Sequence, residues 1–214
     1  MKCVTCEIEQ TPIMRDLSRC DNCTLVSSRY KSDPLIYDEF YCSRYNEYKD
    51  EAIGKKLMKI RADMVYRHVN KGNLLDYGCA TGEFHISLNS GIVGHGYDIN
   101  PNFGFSKVPA QYSILTMWDV IEHIDDPFKF LEERGPGYLF ICTPSTDDFK
   151  GKDLGQWRHY RPHEHVHYFN ELSLKALLKK LGYRILEVNY EESKVRKSGN
   201  EKNILSMAGE KWEK

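Results

Sequence analysis

The middle of the chain alternates between short apolar runs and a longer segment in which apolar residues recur at helical spacing. This longer segment predicts an amphipathic helix over residues 51–70, and Gly72 and Asn73 end it. Four short apolar runs have the length of buried strands and lie at residues 73–77, 92–97, 113–118 and 138–142. Strands of this kind separated by helices are typical of an α/β protein with a parallel sheet.

The last third of the chain adds a helix and two more strands. A helix is predicted over residues 172–181, with Asn170 as its N-cap and Gly182 at its end. Two further apolar runs predict strands at 184–190 and 203–208.

Residues 191–202 connect these two strands. The segment is polar, contains a glycine, and carries the basic residues Lys194, Arg196 and Lys197. We interpret it as a solvated hairpin tip. The alternative is that its basic side chains bind a substrate phosphate.

Composition sets the broad class of the chain. Its 214 residues, of which 41% are hydrophobic, suffice for one globular domain and a small appendage. The formal net charge of −1 lacks the basic excess of a nucleic-acid-binding surface, so nucleic acid is not an expected partner. The sequence has no apolar run of membrane-spanning length, and its first residues lack the apolar stretch of a signal peptide. We therefore expect a cytoplasmic location and no membrane partner.

Two Cys-x-x-Cys pairs stand near the N-terminus. Cys3 and Cys6 form the first pair and Cys20 and Cys23 the second, with thirteen residues between the pairs. Each turn directs two sulfurs to one point, so the two turns complete a tetrahedral shell for Zn²⁺. Such a shell leaves no open position for water, which favours a structural role. Residues 1–28 are therefore predicted to be a zinc ribbon that depends on the metal for its fold.

The first predicted strand of the main domain runs into a turn of small residues. The sequence from Asp76 to Gly82 reads D-x-G-x-A-x-G, and Asp98 ends the next strand. Such a turn lets a ligand approach backbone N–H groups at a helix N-terminus, and the carboxylate suits a ribose diol. A dinucleotide fingerprint has the different spacing G-x-G-x-x-G. The pattern resembles motif I of class I S-adenosylmethionine (SAM)-dependent methyltransferases; the alternative is a glycine-rich turn such as any α/β protein can carry.

Two later segments resemble the same family. The segment D-V-x-E-H at residues 119–123 follows the 113–118 strand, and H-x-H-x-F at residues 165–169 precedes the last helix. Both resemble small-molecule methyltransferases of the ubiquinone-biosynthesis and sugar-modifying type, in which such segments border the active site. The resemblance implies a Rossmann-like class I methyltransferase sheet, closed by an antiparallel C-terminal hairpin. It also implies SAM as cofactor, with contacts expected at Asp76, Gly78, Ala80, Gly82, Asp98, Trp118 and Asp119.

The chain departs from the family pattern after the second strand of the sheet. Only fifteen residues, 99 to 113, separate Asp98 from the strand that begins near Ile114. A crossover helix and a third strand need more chain than that. We therefore predict a sheet shortened at its third-strand edge, and the family's adenine contacts cannot be transferred to this chain.

Histidines supply the candidates for proton removal from an acceptor. His165 and His123 are the candidate bases, because a neutral imidazole accepts a proton near physiological pH. The alternative for His123 is structural, in which it tethers the turn after the strand. Two divalent-metal sites are further alternatives, one at His163, His165 and His167 and one at Asp119, Glu122 and His123.

Residues 29–50 join the ribbon to the main domain at residues 51–214. They are rich in tyrosine, with Tyr30, Tyr37, Tyr41, Tyr45 and Tyr48. One interpretation is a linker whose aromatic side chains pack on the main domain. The other is a lid over the cofactor, a use that related methyltransferases make of such segments.

The resemblance favours an enzyme that methylates oxygen, nitrogen or carbon of a small metabolite, such as a sugar nucleotide or glycan precursor. One alternative is a nucleic-acid methyltransferase that docks through the ribbon. Against it, neither an Asn/Asp-Pro-Pro-Tyr/Phe motif nor a Pro-Cys nucleophile follows the 113–118 strand. The other alternative is a non-catalytic binding protein that kept the fold, which the shortened edge would allow.

Overall fold

The computed structural model describes residues 1–33, 52–88, 91–149, 153–196 and 201–212. In chain order the strands are β1 (Thr11–Pro12), β2 (Leu17–Arg19), β3 (Val26–Ser28), β4 (Gly72–Tyr77), β5 (Ile92–Tyr97), β6 (Ile114–Trp118), β7 (Tyr138–Pro144), β8 (His167–Tyr168), β9 (Tyr183–Asn189) and β10 (Ile204–Lys211). The helices in the described ranges are α1 (Ala52–His68), α2 (Glu83–Ser87), α3 (Pro127–Arg134), α4 (Glu171–Lys180) and α5 (Glu191–Val195).

Six strands form the main sheet in the order β5-β4-β6-β7-β10-β9. Strand β4 is parallel to β5 and β6, and β6 is parallel to β7. Strand β10 is antiparallel to both β7 and β9. All five residues of β6 are buried, as expected for a central strand covered on both faces. The sheet confirms the Rossmann-like α/β fold and its C-terminal antiparallel hairpin.

The sheet is short at the β5 edge. Between β5 and β6 the chain forms only a 3₁₀ turn at Pro101–Phe103, and no strand in the described ranges pairs with the outer edge of β5. The Asp98 N–H donates to the Phe105 carbonyl at 2.8 Å, which folds this segment back toward the end of β5. The predicted loss of the third strand is confirmed.

Apolar layers cover both faces of the main sheet. On one face, α1 packs through Met64 and Val65 against a layer that includes Leu74. On the other face, the layer includes α4, and Asn170 caps this helix by accepting a hydrogen bond from the Ser173 N–H. The cysteines of the N-terminal head belong to this second layer, so the head packs on the main domain.

The N-terminal head shares a sheet with the main domain. Strands β1, β2 and β3 are antiparallel, and β8 completes their sheet beside β3. Val26 pairs with Tyr168, and the Ser28 N–H donates to the Val166 carbonyl at 2.8 Å. The histidine-rich segment is therefore hydrogen-bonded directly to the head.

The interpretation of residues 191–202 as a solvated tip is wrong for residues 191–196, whereas Glu201 and Lys202 are exposed. Residues 191–195 form α5, in which Glu192 and Ser193 are buried. The Ser193 hydroxyl bonds both backbone groups of Ile204. Glu192 can be buried because it pairs with Arg61, an arginine carried by α1.

Most of the tyrosine-rich segment lies outside the described residues, so the linker and lid interpretations both stay predictions. At its described start, the Tyr30 ring centroid lies 4.2 Å from that of His163. Among the described residues, no helix combines the length and apolar character needed to cross a membrane.

Candidate functional site

The turn after β4 has backbone conformations that favour glycine. Gly78 has φ of 76° and Gly82 has φ of 83°, and Ala80 between them has φ of 47°. A Cβ atom at Gly78 would lie 2.4 Å from Val120 Cγ2, and one at Gly82 would lie 2.7 Å from Phe105 Cζ. Both space and backbone conformation therefore call for glycine at these two positions.

Asp98 ties this turn to the end of β5. Its two carboxylate oxygens accept hydrogen bonds from the Asn100 N–H at 2.8 Å and the Ala80 N–H at 2.9 Å. Burial raises the pKa of the carboxyl above its ordinary value, and the two backbone donors oppose that shift. Each carboxylate oxygen can accept a further hydrogen bond, so Asp98 can fix the turn and still receive a ribose hydroxyl.

Asp76 lies beneath the turn and is only 2% exposed. It accepts a hydrogen bond from the Thr116 hydroxyl at 2.7 Å, and its other oxygen is 3.7 Å from His85 Nδ1. The His85 ring fills the space over β5 that a side chain at Gly96 would take. Sequence reasoning missed His85, although a glycine inside a strand is a signal of such a close approach.

Trp118 and Asp119 lie at the end of β6 beside an arginine. The buried Trp118 ring packs edge-on against Phe84, and the Arg61 guanidinium lies 5.1 Å from its centre. Asp119, with φ of 59°, accepts hydrogen bonds from Arg61 at 3.2 Å and from Arg196 at 2.5 Å. Two guanidinium groups thus engage the Asp119 carboxylate.

Glu192 completes a balanced cluster of two arginines and two carboxylates. It receives two hydrogen bonds from Arg61, at 2.8 and 3.1 Å, and two from Arg196. Burial opposes ionisation of Asp119, but Arg196 and Arg61 outweigh it and hold the pKa of Asp119 at about 2. Sequence reasoning missed this cluster, for which the only local signal was an arginine near the apolar face of α1.

We expect Glu192→Gln to lower the free energy of unfolding by about 3–5 kcal/mol, because it leaves the buried Arg61 and the partly buried Arg196 with one carboxylate. Urea unfolding at pH 7 measures this loss. Glu191→Gln is the matched control on the same helix, since Glu191 is exposed and should contribute about 0.5 kcal/mol or less. Equal stability of the two variants would show that the cluster is not a stabilising unit.

His123 and His165 face each other at the same edge of the sheet. Their ring centroids are 4.8 Å apart and nearly perpendicular. His123 Nδ1 lies 2.9 Å from the Glu164 carbonyl, and His165 Nδ1 lies 2.9 Å from the His159 carbonyl. A carbonyl only accepts, so both Nδ1 atoms carry the proton and each neutral ring has its lone pair on Nε2. Burial, followed by the neighbouring His123, lowers the pKa of His165 to about 3.

Glu122 stands next to the histidine pair and is 2% exposed. One oxygen accepts a hydrogen bond from the Thr143 hydroxyl at 3.0 Å, and the other lies 3.9 Å from His123 Nε2. Burial, followed by the charge of Asp119, raises the pKa of Glu122 to about 8. The ligand atoms of Glu122, His123 and His165 all lie within 4.8 Å of one another.

The two metal alternatives drawn from the sequence gain no support from this geometry. Asp119, needed for one of them, is engaged by the arginines. His167, needed for the other, uses both ring nitrogens, on the Ser27 hydroxyl at 3.1 Å and the Asp125 carbonyl at 3.0 Å. His163 lies against Tyr30 instead.

The four N-terminal cysteines converge on one point. The ligand atoms of Cys3, Cys6, Cys20 and Cys23 lie within 4.8 Å of one another, and the sulfurs of Cys3 and Cys23 are 3.6 Å apart. Zn–S bonds of about 2.3 Å place sulfurs about 3.8 Å apart around a tetrahedral ion. Backbone N–H groups of Cys6 and Cys23 point at the sulfurs of Cys3 and Cys20. The residues therefore fit a structural zinc.

Comparison with known proteins gives one family and a set of structural neighbours. A family model described as a methyltransferase domain matches residues 45–188. No curated protein matches the sequence. Magnesium protoporphyrin IX methyltransferase from Synechocystis, solved with S-adenosylhomocysteine, has 14% identity and a TM-score of 0.63, with 84% of this chain and 100% of that chain covered.

Two further structures are similar. The 1,6-didemethyltoxoflavin-N1-methyltransferase of Burkholderia thailandensis has 15% identity and a TM-score of 0.59, with 96% of this chain and 100% of that chain covered. A SAM-dependent methyltransferase from Archaeoglobus fulgidus has 16% identity and a TM-score of 0.58, with 81% and 100% covered. At these identities the likeness establishes the fold.

Proposed function

This chain is a SAM-dependent methyltransferase of the methyltransferase-domain family, and we propose that its acceptor is a small metabolite. The resemblance of residues 119–123 and 165–169 to the ubiquinone-biosynthesis and sugar-modifying enzymes supports an acceptor such as a sugar nucleotide or glycan precursor. The observation that carries the proposal is the glycine turn, which is hydrogen-bonded to Asp98. This turn lies at the same edge of the sheet as the histidine pair. The proposal covers methylation of an oxygen, nitrogen or carbon atom of the acceptor.

We assign the cofactor to the carboxyl ends of β4, β5 and β6. The turn at Gly78, Ala80 and Gly82 would receive the methionine part of SAM, and Asp98 would hold the ribose. Asp76 is buried beneath the turn, so it would support the backbone of the turn and not contact SAM itself. Trp118 and Asp119 would border the site from β6, with Asp119 acting in its arginine cluster.

Phe105 is our candidate for the adenine end of the site. It belongs to the shortened segment after β5, contacts the turn at Gly82, and packs edge-on against His85 at 5.0 Å. An aromatic ring there would supply the flat apolar surface on which a base stacks.

The acceptor would bind between the turn and the histidine pair. SAM held by the turn and Asp98 would supply the methyl group, which the nucleophilic atom of the acceptor would take in line as the carbon–sulfur bond breaks. The proton of an O–H or N–H acceptor passes to the Nε2 lone pair of His165 or His123. We assign the four-cysteine head a structural Zn²⁺ that holds β3 and, through it, β8 in place.

We expect Asp98→Asn to weaken SAM binding by about 10- to 100-fold, because it removes a charged acceptor for the ribose hydroxyls. Asparagine keeps one acceptor oxygen for the turn, whereas Asp98→Ala would leave the N–H groups of both Ala80 and Asn100 without their carboxylate. Calorimetry with SAM and S-adenosylhomocysteine measures the loss.

Asp126→Asn is the matched control for that experiment, because Asp126 caps α3 and asparagine caps equally well. An Asp98→Asn protein that binds SAM as tightly as the wild type would mean that the ribose assignment is wrong. A zinc-loaded wild-type chain that binds neither ligand would favour a non-catalytic binding protein. Salt-sensitive binding of RNA or DNA would favour a nucleic-acid acceptor.

A further inference from the structure

A hydrogen-bonded set of three side chains lies at the carboxyl end of β7. Asn203 comes directly before β10, whose first residue pairs with Pro144, the last residue of β7. The Asn203 side chain is 1% exposed and bonds both Trp157 and His159. Its backbone is held as well, because its carbonyl accepts a hydrogen bond from the Ser145 N–H at 2.8 Å. Asn203 is therefore fixed by the sheet before it contacts the histidine-rich segment.

The indole of Trp157 determines which nitrogen of His159 carries the proton. An indole N–H only donates, so its 3.3 Å contact with Asn203 places the amide oxygen on the Trp157 side. The amide NH₂ group then faces His159 Nε2 at 3.2 Å and donates to it. A neutral imidazole that accepts at Nε2 carries its proton on Nδ1. Burial, followed by the charge of Arg158, lowers the pKa of His159 to about 4, so the ring is neutral at pH 7.

The Nδ1–H of His159 is a donor at the edge of the sheet where the acceptor would bind. The residue is half-buried, and within the described ranges its ring makes one hydrogen bond, the one from Asn203. The His159 carbonyl accepts a hydrogen bond from His165 Nδ1 at 2.9 Å. The charges of Asp119 and Arg196 also act on the His159 ring. His159 therefore lies close both to a candidate base and to the cluster at the end of β6.

The neighbouring charges favour an anionic oxygen as the partner of this donor. Arg158 is exposed and makes no hydrogen bond or ion pair with any residue of the described ranges. Arg161, the next arginine in the segment, is instead paired with Glu164 at 3.2 Å. A neutral N–H donor beside an unengaged guanidinium suits a carboxylate or phosphate oxygen.

We propose that His159 is a substrate-binding residue that donates its Nδ1–H to a carboxylate or phosphate oxygen of the acceptor, with Arg158 as the counter-charge. The assignment rests on the proposed function, because it places the acceptor beside His165. The two histidines then have different tasks. His165 can take a proton on Nε2, whereas the Nε2 lone pair of His159 is occupied by Asn203. The acceptor is narrowed to metabolites that carry an anionic group near the methylated atom.

Nitrogen-15 NMR of the zinc-loaded chain tests the tautomer without any substrate. At pH 7 the His159 ring should have a protonated Nδ1 and an unprotonated Nε2, with His159→Gln identifying its signals by their loss. Asn203→Asp should place a proton on Nε2, because a carboxylate accepts from both the indole and the imidazole. A wild-type ring protonated only on Nε2 overturns the proposal, and so does an Asn203→Asp ring whose Nε2 stays unprotonated.

Titration with inorganic phosphate tests the donor. Phosphate should shift the His159 Nδ1 signal of the wild type, and it should bind about 10-fold or more weakly to His159→Gln and to Arg158→Gln. His159→Asn is the matched variant, because the amide of asparagine reaches the Nδ1 position and that of glutamine reaches the Nε2 position. It should retain most of the binding. Arg161→Gln is the charge control and should change the affinity by about 3-fold or less, since Arg161 is exposed and paired.

Acetate in the same titration separates the two sources of an anionic oxygen. Tighter binding of phosphate assigns the oxygen to a phosphate group, and tighter binding of acetate assigns it to a carboxylate. A wild-type ring that responds to neither ion overturns the proposal, as does equal binding by the wild type and His159→Gln. If an anion binds as expected and the chain does not bind SAM, the proposed function fails and the anion site stands.

Discussion

Cys20→Ser should cost the enzyme at least about 100-fold in kcat/KM for methyl transfer while the protein still binds SAM. This variant opens the four-sulfur shell, so we expect the ribbon zinc to be lost. A structural zinc of this type contributes on the order of 10 kcal/mol to the fold of a small head that has little apolar core of its own. The loss therefore unfolds the head and not merely one turn of it.

Methyl transfer suffers because the head holds the histidine-rich segment from one side. Strand β3 pairs with β8, and the Ser27 hydroxyl contacts His167 Nδ1 at 3.1 Å. The side chain of Asn170 donates to the Thr24 hydroxyl at 2.7 Å. A displacement of about 1 Å at a reacting group can cost about 100-fold in rate, and His165 stands two residues before the strand that the head supports.

SAM binding survives because its proposed contacts are built on other elements. The glycine turn and Asp98 belong to β4, β5 and the start of α2, and none of these pairs with the ribbon sheet. Metal content, SAM calorimetry and initial rates on the same preparation check the prediction. Cys142→Ala is the control for loss of a buried thiol outside the cluster. A zinc-free Cys20→Ser protein with wild-type turnover would show that the ribbon does not position the active site.

Local patterns in the sequence predicted those parts of the site that depend on local backbone. The turn at Gly78 and Gly82 needs positive φ and empty space at two nearby positions, and both requirements are met by glycine, which the sequence shows directly. The Cys-x-x-Cys pairs are local in the same way. The shortened edge was predictable because it follows from chain length alone.

Contacts between distant residues were not predictable from these patterns. Arg61 reaches Asp119 across 58 positions of sequence, and Arg196 reaches it across 77. A polar segment such as 191–196 is predicted to be solvated unless the partner that neutralises it is known. The approach of His165 to His123 is likewise set by the fold and not by their spacing in the sequence. The sequence therefore identified both histidines as candidates but did not show that they lie next to Glu122.

His165→Ala should lower kcat by about 10²- to 10⁴-fold with SAM affinity unchanged. His165 Nε2 is a proton acceptor whose burial keeps the ring neutral, with its pKa lowered to about 3. Such a weak base still suffices for an oxygen acceptor, because the attacking O–H becomes strongly acidic as its oxygen bonds to the methyl carbon. His123→Ala should give a comparable loss if the proton passes to that ring instead.

Added imidazole tests the base role of His165. A small base that diffuses into the space left by His165→Ala should restore part of kcat in zinc-loaded protein if proton removal was the missing step. His68→Ala is the control, since His68 pairs with Glu187 away from the site. Full turnover in both His165→Ala and His123→Ala would exclude both rings as the base, because no proposed path for the acceptor's proton avoids both rings.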